Sequence, residues 1–356
     1  MIKVLIVDDS ALVRQMLKSM LESDPDIQVV GVASDPYMAR EKIKKTNPDV
    51  ITLDVEMPRM DGITFLGNLM RLRPMPVVMV STLTEKGADV TLRALENGAV
   101  DFVSKPKIDV ADQLPDYAEE IIEKVKTAAR VRVKTLEHRA YDKKDNVSEK
   151  YTSDVILPKL TGKHFRTTDR IIGIGSSTGG TEAIKEVVAD LPPNMPGIVI
   201  SQHIPESFSG PFAQRVNTIT RLTVMEATDG QQILPGHVYI APGNRHLLVK
   251  RDGARYICHL NDGQPVNRHK PSVDVMFRSL AQNAGPNSIG VMLTGMGSDG
   301  ADGMGEMKQE GAPTIAQDER SSVVWGMPGE AVKRGHVDEI ISLDKIGKRL
   351  LELSSK

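Results

Sequence analysis

The sequence predicts two doubly wound α/β domains in tandem, and three observations carry the prediction. The chain has 356 residues, about twice a common domain length of roughly 100 to 200 residues. Both ends alternate short Val- and Ile-rich runs with amphipathic helical patterns. Between them lies a basic stretch with little periodicity: residues 130–170 carry 11 basic and 6 acidic side chains, against 16 and 21 in 1–129 and 18 and 20 in 171–356. The expected division is therefore an N-terminal domain over 1–125, an exposed linker over 126–170 and a C-terminal domain over 171–350. The linker's basic residues are a candidate for docking on an acidic face. With 40% apolar and 26% charged residues, both halves can bury a core.

The first domain reads as five βα units: KVLIVDD with SALVRQMLKSMLES, IQVVGVA with YMAREKIKK, DVITLD with ITFLGNLMRL, PVVMVS with GADVTLRALENG, and VDFVSKP with ADQLPDYAEEIIEKVKTAAR. Strands without polar alternation are buried on both faces, and right-handed crossovers then give a parallel sheet between helices. The second domain opens similarly, with IIGIG, a Gly-rich turn, the helix TEAIKEVVADL and the strand GIVISQH. An Asp252-Gly253 hairpin signal between LLVK and RYICHL adds an antiparallel excursion within that layer.

Several functions are disfavoured at once. The longest apolar runs, such as Pro76–Val80 and Ile289–Leu293, fall short of the roughly 18 residues a membrane span needs. Val4–Val7 runs straight into Asp8 and Asp9, unlike a secretory leader, so a cytoplasmic location without membrane insertion is expected. The single cysteine, Cys258, excludes an internal disulfide framework and reads as packing. A net charge of −2 and the lack of a helix-turn-helix with a basic recognition helix argue against nucleic acid as a partner.

Ligands of open parallel sheets bind beyond the carboxyl ends of the strands. In the first domain those ends carry Asp8 and Asp9, Asp54, Ser81 and Lys105. Converging carboxylates repel one another unless a hard cation such as Mg²⁺ sits among them. One could then attack a phosphoryl group while Lys105 and Ser81 hold its oxygens. Taken singly, each residue has a plainer explanation, such as a helix cap or a solvated loop charge; their joint placement favours a site.

Through VDDS, LDVEMPRMDG, VS and KP, residues 1–125 resemble the receiver domains of two-component response regulators, which implies the flavodoxin-like fold. That resemblance makes Asp54 the phospho-acceptor and assigns Mg²⁺ to Asp8, Asp9, Asp54 and the Glu56 carbonyl. Ser81 and Lys105 would read the phosphate, and Phe102 would fill the aromatic switch position. Phosphorylation would replace one charge by about −2, drawing Ser81 inward and letting Phe102 repack.

In the second domain, Gly175-Ser176-Ser177-Thr178-Gly179 satisfies G-x-S-x-G between a predicted strand and helix, a context that exposes a nucleophilic serine. A simple turn or phosphate cradle is the plainer reading. Dinucleotide binding through Gly173, Gly175 and Gly179 fits imperfectly, because Thr178 stands at the third glycine and the next strand ends in Gln202 and His203 rather than an acid. Acyl transfer needs a base and an orienting acid. Of the eight histidines, His138 and His164 fall in the linker, while His336 and His237 precede strands and so lie at the wrong edge. His246, His259 and His269 read as cleft or structural residues. His203 ends a strand beside that of Ser177, and Asp299 follows IGVMLTG at the same edge, with Asp302 as the fallback.

GSSTGGTEAI, SQHIP, YIAPG, HKPSVD and LTGMGSDGADGM resemble the catalytic domain of the chemotaxis protein-glutamate methylesterase (CheB) family. This implies a Ser177, His203, Asp299 triad with backbone oxyanion donors at Thr178 and Met296, acting on glutamyl methyl esters, and on glutamines, of chemoreceptors. The implied phosphoryl donor is a histidine kinase, and phosphorylation would lift the receiver from the Ser177 cleft. Ser176 stands where the family often has Ala. Two other readings remain: a phosphorylation-controlled binding protein without turnover, and a receiver-coupled DNA-binding regulator.

Overall fold

The computed structural model describes residues 1–58, 60–82, 84–105, 114–131, 151–159 and 170–355. His138, His164 and most of the expected linker lie outside them. The chain forms two compact units, Met1–Leu136 and Glu137–Lys356.

In the first unit the strands β1 (Ile2–Val7), β2 (Ile27–Ala33), β3 (Val50–Asp54), β4 (Val77–Ser81) and β5 (Asp101–Ser104) alternate with α1 (Ala11–Glu22), α2 (Pro36–Thr46), α3 (Gly62–Leu72), α4 (Glu85–Glu96) and α5 (Leu114–Ala128). All pairs are parallel, in the order β2-β1-β3-β4-β5. The helix starts are written locally. Ser10, Asp35, Asp61 and Thr84 each accept a hydrogen bond from the backbone N–H three residues on, satisfying a donor the helix leaves orphaned. On one face, Leu17, Leu21, Ile121 and Val125 bury against Val4, Ile6, Val50 and Val78. Register pairs Val7 with Leu53, Asp54 with Val80 and Ser81 with Ser104, so the polar residues ending these strands share one edge.

The second unit holds seven parallel strands: β6 (Ile171–Ser176), β7 (Gly197–Gln202), β8 (Thr223–Glu226), β9 (His237–Ile240), β12 (Ser288–Met292), β13 (Thr314–Gln317) and β14 (Glu339–Ile341). Their order is β14-β13-β12-β6-β7-β9-β8. The helices are α6 (Gly180–Ala189), α7 (Glu206–Asn217), α8 (Val273–Asn283), α9 (Ala301–Gln309), α10 (Met327–Lys333) and α11 (Leu343–Ser354). The antiparallel excursion is present but makes a separate sheet of β10 (His246–Asp252) and β11 (Arg255–Asn261) rather than joining the layer. Asp252 pairs with Arg255, so the two-residue loop is Gly253-Ala254, one position later than the dipeptide signal. Gly253, at φ 59°, supplies the left-handed conformation such a loop requires.

The glycines of β6 have a packing reason. A Cβ on Gly173 would sit 2.3 Å from Leu280 Cδ1, and one on Gly175 2.2 Å from Val273 Cγ1. Both keep α8 close to the central strand, and that, rather than a pyrophosphate, explains the approximate dinucleotide fingerprint. Cys258 is fully buried in the same core, and burial pushes its thiol up to about 12, as a packing cysteine requires.

Candidate active site

At the edge of the first sheet, ligand oxygens of Asp8, Asp9 and Asp54 lie within 4.8 Å of one another. Lys105 Nζ stands 2.8 Å from Asp54 Oδ2 and 3.3 Å from Asp8 Oδ2. Burial, reinforced by the Asp8 charge, pushes the Asp54 carboxyl up to about 6 against the pull of Lys105, and burial likewise raises Asp8. Burial would depress Lys105, but the two carboxylates overrule it and hold the ammonium charged. Asp8 Oδ2 is buried with Lys105 Nζ as its ion-pair partner. The converging, all-oxygen donor set of Asp8, Asp9 and Asp54 fits a hard cation. The Glu56 N–H donates to Asp54 Oδ1 at 3.2 Å, placing the Glu56 backbone at the cluster. Ser81 is buried, with Oγ 3.4 Å from the carbonyls of Thr82 and Gly87. Phe102 is 5% exposed, and Lys124 Nζ lies 5.1 Å from its ring centroid.

At the edge of the second sheet, Ser177 follows β6 in the centre, His203 follows β7 on one side and Asp299 follows β12 on the other. Ser177 N–H donates to Thr294 O at 3.1 Å, and His203 N–H to Ser176 O at 3.1 Å, tying the three strand ends together. His203 Nε2 lies 2.9 Å from Asp299 Oδ2. With Nε2 facing the Asp299 carboxylate, the buried Nδ1 is the ring nitrogen left without a hydrogen bond among the described residues. Asp302, the alternative acid, is instead 2.6 Å from Arg334 Nη1. Ser176 is fully buried and donates to Gln202 Oε1 at 2.7 Å, while Gln202 Nε2 donates to the carbonyls of Ser177 and His203. Ser176 therefore braces the two strand ends. Ser176→Ala orphans Gln202 Oε1, so unfolding titrations should show a loss of about 1–2 kcal/mol with turnover within a few-fold of the parent.

Asp299 is 1% exposed. Burial alone would raise its carboxyl, but His203, His269 and Asn267 outweigh it and hold the group ionised, well below the usual range. Oδ1 accepts from Ser272 Oγ (2.8 Å) and Asn267 Nδ2 (2.9 Å), and Oδ2 from Val273 N–H (2.6 Å). Val273 opens α8, so the helix's positive end also favours the anion. Burial, and then the Asp299 charge, push the Asp274 carboxyl well above the usual range, which favours the negative charge of the buried pair on Asp299.

Asn267, His269, Ser272 and Asp274 were not assigned to this network from sequence. The only signal was the segment HKPSVD, which contains three of them. His269 stacks on the His203 ring, with centroids 3.7 Å apart and planes inclined by 11°. His246 is structural: fully buried, it pairs Nε2 with Gln264 O, and Nδ1 accepts from Ser272 N–H. His259 instead meets Asp229.

An acidic, lysine-tipped cluster at the edge of one parallel sheet, and Ser177, His203 and Asp299 at the edge of another, define a receiver-bearing hydrolase on an α/β scaffold. A family model described as CheB methylesterase matches residues 172–350, and one described as response regulator receiver domain matches residues 4–114. A protein-glutamate methylesterase/protein-glutamine glutaminase of Hydrogenovibrio crunogenus is 59% identical, covering 100% of this chain and 99% of its own. Another, from Geobacter metallireducens, is 57% identical over 98% of this chain and 95% of its own. The crystal structure of the Thermotoga maritima CheB methylesterase catalytic domain covers 52% of this chain and 98% of its own, at a TM-score of 0.51 and 38% identity. The chain belongs to the CheB methylesterase family. No helix among the described residues is long and apolar enough to cross a membrane.

Proposed function

We propose that the chain is a phosphorylation-activated protein-glutamate methylesterase that also deamidates glutamines, built from a receiver over 1–125, a linker over 126–170 and a catalytic domain over 171–350. The observation that carries it is the 2.9 Å bond from His203 Nε2 to Asp299 beside the strand end that presents Ser177. Asp299 fixes the tautomer with hydrogen on Nε2, so Nδ1 accepts the Ser177 proton as Oγ attacks the glutamyl carbonyl. Backbone N–H groups of Thr178 and Met296 receive the oxyanion. The His203 imidazolium, stabilised by Asp299, returns its proton to the departing methoxide, and methanol leaves. Water, deprotonated by His203, hydrolyses the acyl-serine to the glutamate carboxylate. The same attack on a glutamine amide releases ammonia.

In the receiver, Asp54 is the phospho-acceptor, with Ser81, Lys105 and Phe102 reading the phosphoryl group. Mg²⁺ held by Asp8, Asp9, Asp54 and the Glu56 carbonyl would neutralise charge on the phosphoryl oxygens. The substrate side is methylated chemoreceptors, the phosphoryl donor is a histidine kinase, and the setting is the cytoplasm. Methanol release from methylated receptor membranes tests this: it should rise with a small phosphodonor plus Mg²⁺. A rate unmoved by the phosphodonor sinks the regulatory half of the reading.

The raised Asp54 carboxyl gives a second test. An acid whose folded pKa exceeds its unfolded value makes the fold less stable as pH rises between them, here from the usual 3.8 to about 6. In chelator at pH 7.5, Asp54→Asn should therefore be more stable than the parent by roughly 1–3 kcal/mol. Added Mg²⁺ should raise the melting temperature of the parent more than that of the variant.

A further inference from the structure

We propose that residues 151–159 are a working part of the catalytic unit: a strap that holds the turn Val266–His269, and through it both the acid and the base of the triad. This inference rests on the Ser177 reading above.

The turn is closed by reciprocal hydrogen bonds between Val266 and His269. Its central residues, Asn267 and Arg268, have φ of 51° and 69°, a left-handed conformation that asparagine tolerates and arginine rarely adopts. Such strain persists only where the surroundings over-determine it, and two sets of contacts do so. On the inner side, Asn267 Nδ2 donates to Asp299 Oδ1 at 2.9 Å and to Asp274 Oδ2 at 2.6 Å, while His269 stacks on His203. One turn thus touches two triad members.

On the outer side stands the strap. Asn267 N–H donates to Tyr151 O at 3.0 Å, and Ile156 and Leu157 pack on Leu248, Val266 and Val275. The strap is anchored on α8: Arg278, 3% exposed, binds Asp154 Oδ1 at 2.7 Å and Leu157 O at 2.9 Å, and Gln282 Nε2 donates to Pro158 O at 2.7 Å. Its basic residue counts for less. Lys159 Nζ is 3.6 Å from Glu306 and 69% exposed, a surface pair worth little. Within residues 151–159, docking onto the domain is therefore made mainly by apolar side chains and by Asp154 on a buried arginine.

Full-length variants test the coupling. Asn267→Gly keeps the left-handed backbone and removes only the side-chain donor; kcat should fall roughly 10- to 100-fold with KM unchanged. Ile156→Ser with Leu157→Ser, which loosens the strap, should lower kcat about tenfold. Because both act through the same turn, the combined variant should lose less than the product of the two. Proton NMR adds a readout independent of turnover: the low-field His203 N–H resonance facing Asp299 should shift or broaden in both. Should the double serine variant not fold, Asp154→Ala, at an exposed carboxylate, should produce a smaller loss in the same direction. Parental kcat and an unmoved resonance in a folded variant whose strap is cut faster by protease would overturn the proposal. Ser177→Ala keeps the two failures apart: a variant that still turns over sinks the nucleophile, whereas a dead Ser177→Ala beside a full-rate strap variant sinks the strap alone.

Discussion

Ser177→Ala is expected to lower methanol release by about 10⁴-fold or more, leaving only what the oxyanion donors and substrate binding supply. The substitution removes one half-buried hydroxyl at a strand end. The backbone bonds that shape this edge, Ser177 N–H to Thr294 O and Gly180 N–H to Ser177 O, survive it, so the melting temperature should barely move. The neighbouring hydroxyl cannot take over, because Ser176 Oγ is buried and committed to Gln202. An active-site phosphonylating reagent should label the parent at Ser177 and fail to label the variant. Residual turnover within tenfold of the parent would reject Ser177 as nucleophile.

Asp299→Asn should cost about 10⁴-fold in kcat, the scale expected when an orienting carboxylate becomes an amide. His203 Nε2 donates to Asp299 Oδ2. An amide nitrogen there would favour the tautomer with hydrogen on Nδ1, and that tautomer cannot accept the Ser177 proton. Turning the amide the other way keeps an oxygen facing His203 but sets the NH2 against the donors Ser272 and Asn267, so the productive tautomer is reached only at the cost of a clash. Either orientation opposes donors, so the fold should also weaken by roughly 1–3 kcal/mol. The two effects separate in practice: kinetics well below the melting temperature report the tautomer, and unfolding reports the clash. A variant with parental kcat would mean that the acid is elsewhere.

Much of this was legible in the chain. Asp8, Asp54, Ser81 and Lys105 could be placed together because each directly follows or ends a Val/Ile run, and parallel strands bring such ends to one edge. Ser177 and His203 were legible for the same reason. The hairpin was legible as a pair of strands, but its sheet membership was not, since a turn signal is local and says nothing about what the strands pack against.

The support of Asp299 lay beyond such reasoning. Asn267, His269 and Ser272 belong to a turn and a helix cap far from Asp299 in sequence, with no strand end to register them. They meet it because Gly173 and Gly175 admit α8 closely enough for its N-terminus to reach the loop after β12. The linker shows the same limit. Its charge and weak periodicity describe a solvated tether, yet Ile156, Leu157 and Asp154 find an apolar patch and a buried arginine that only the folded second unit presents. The sequence alone therefore determined the two sheets and the residues at their edges, because strand burial and crossover handedness are written in local pattern. Tertiary structure decided which donors hold Asp299, which nitrogen of His203 faces it and where residues 151–159 lie, because those follow from close packing between segments distant along the chain.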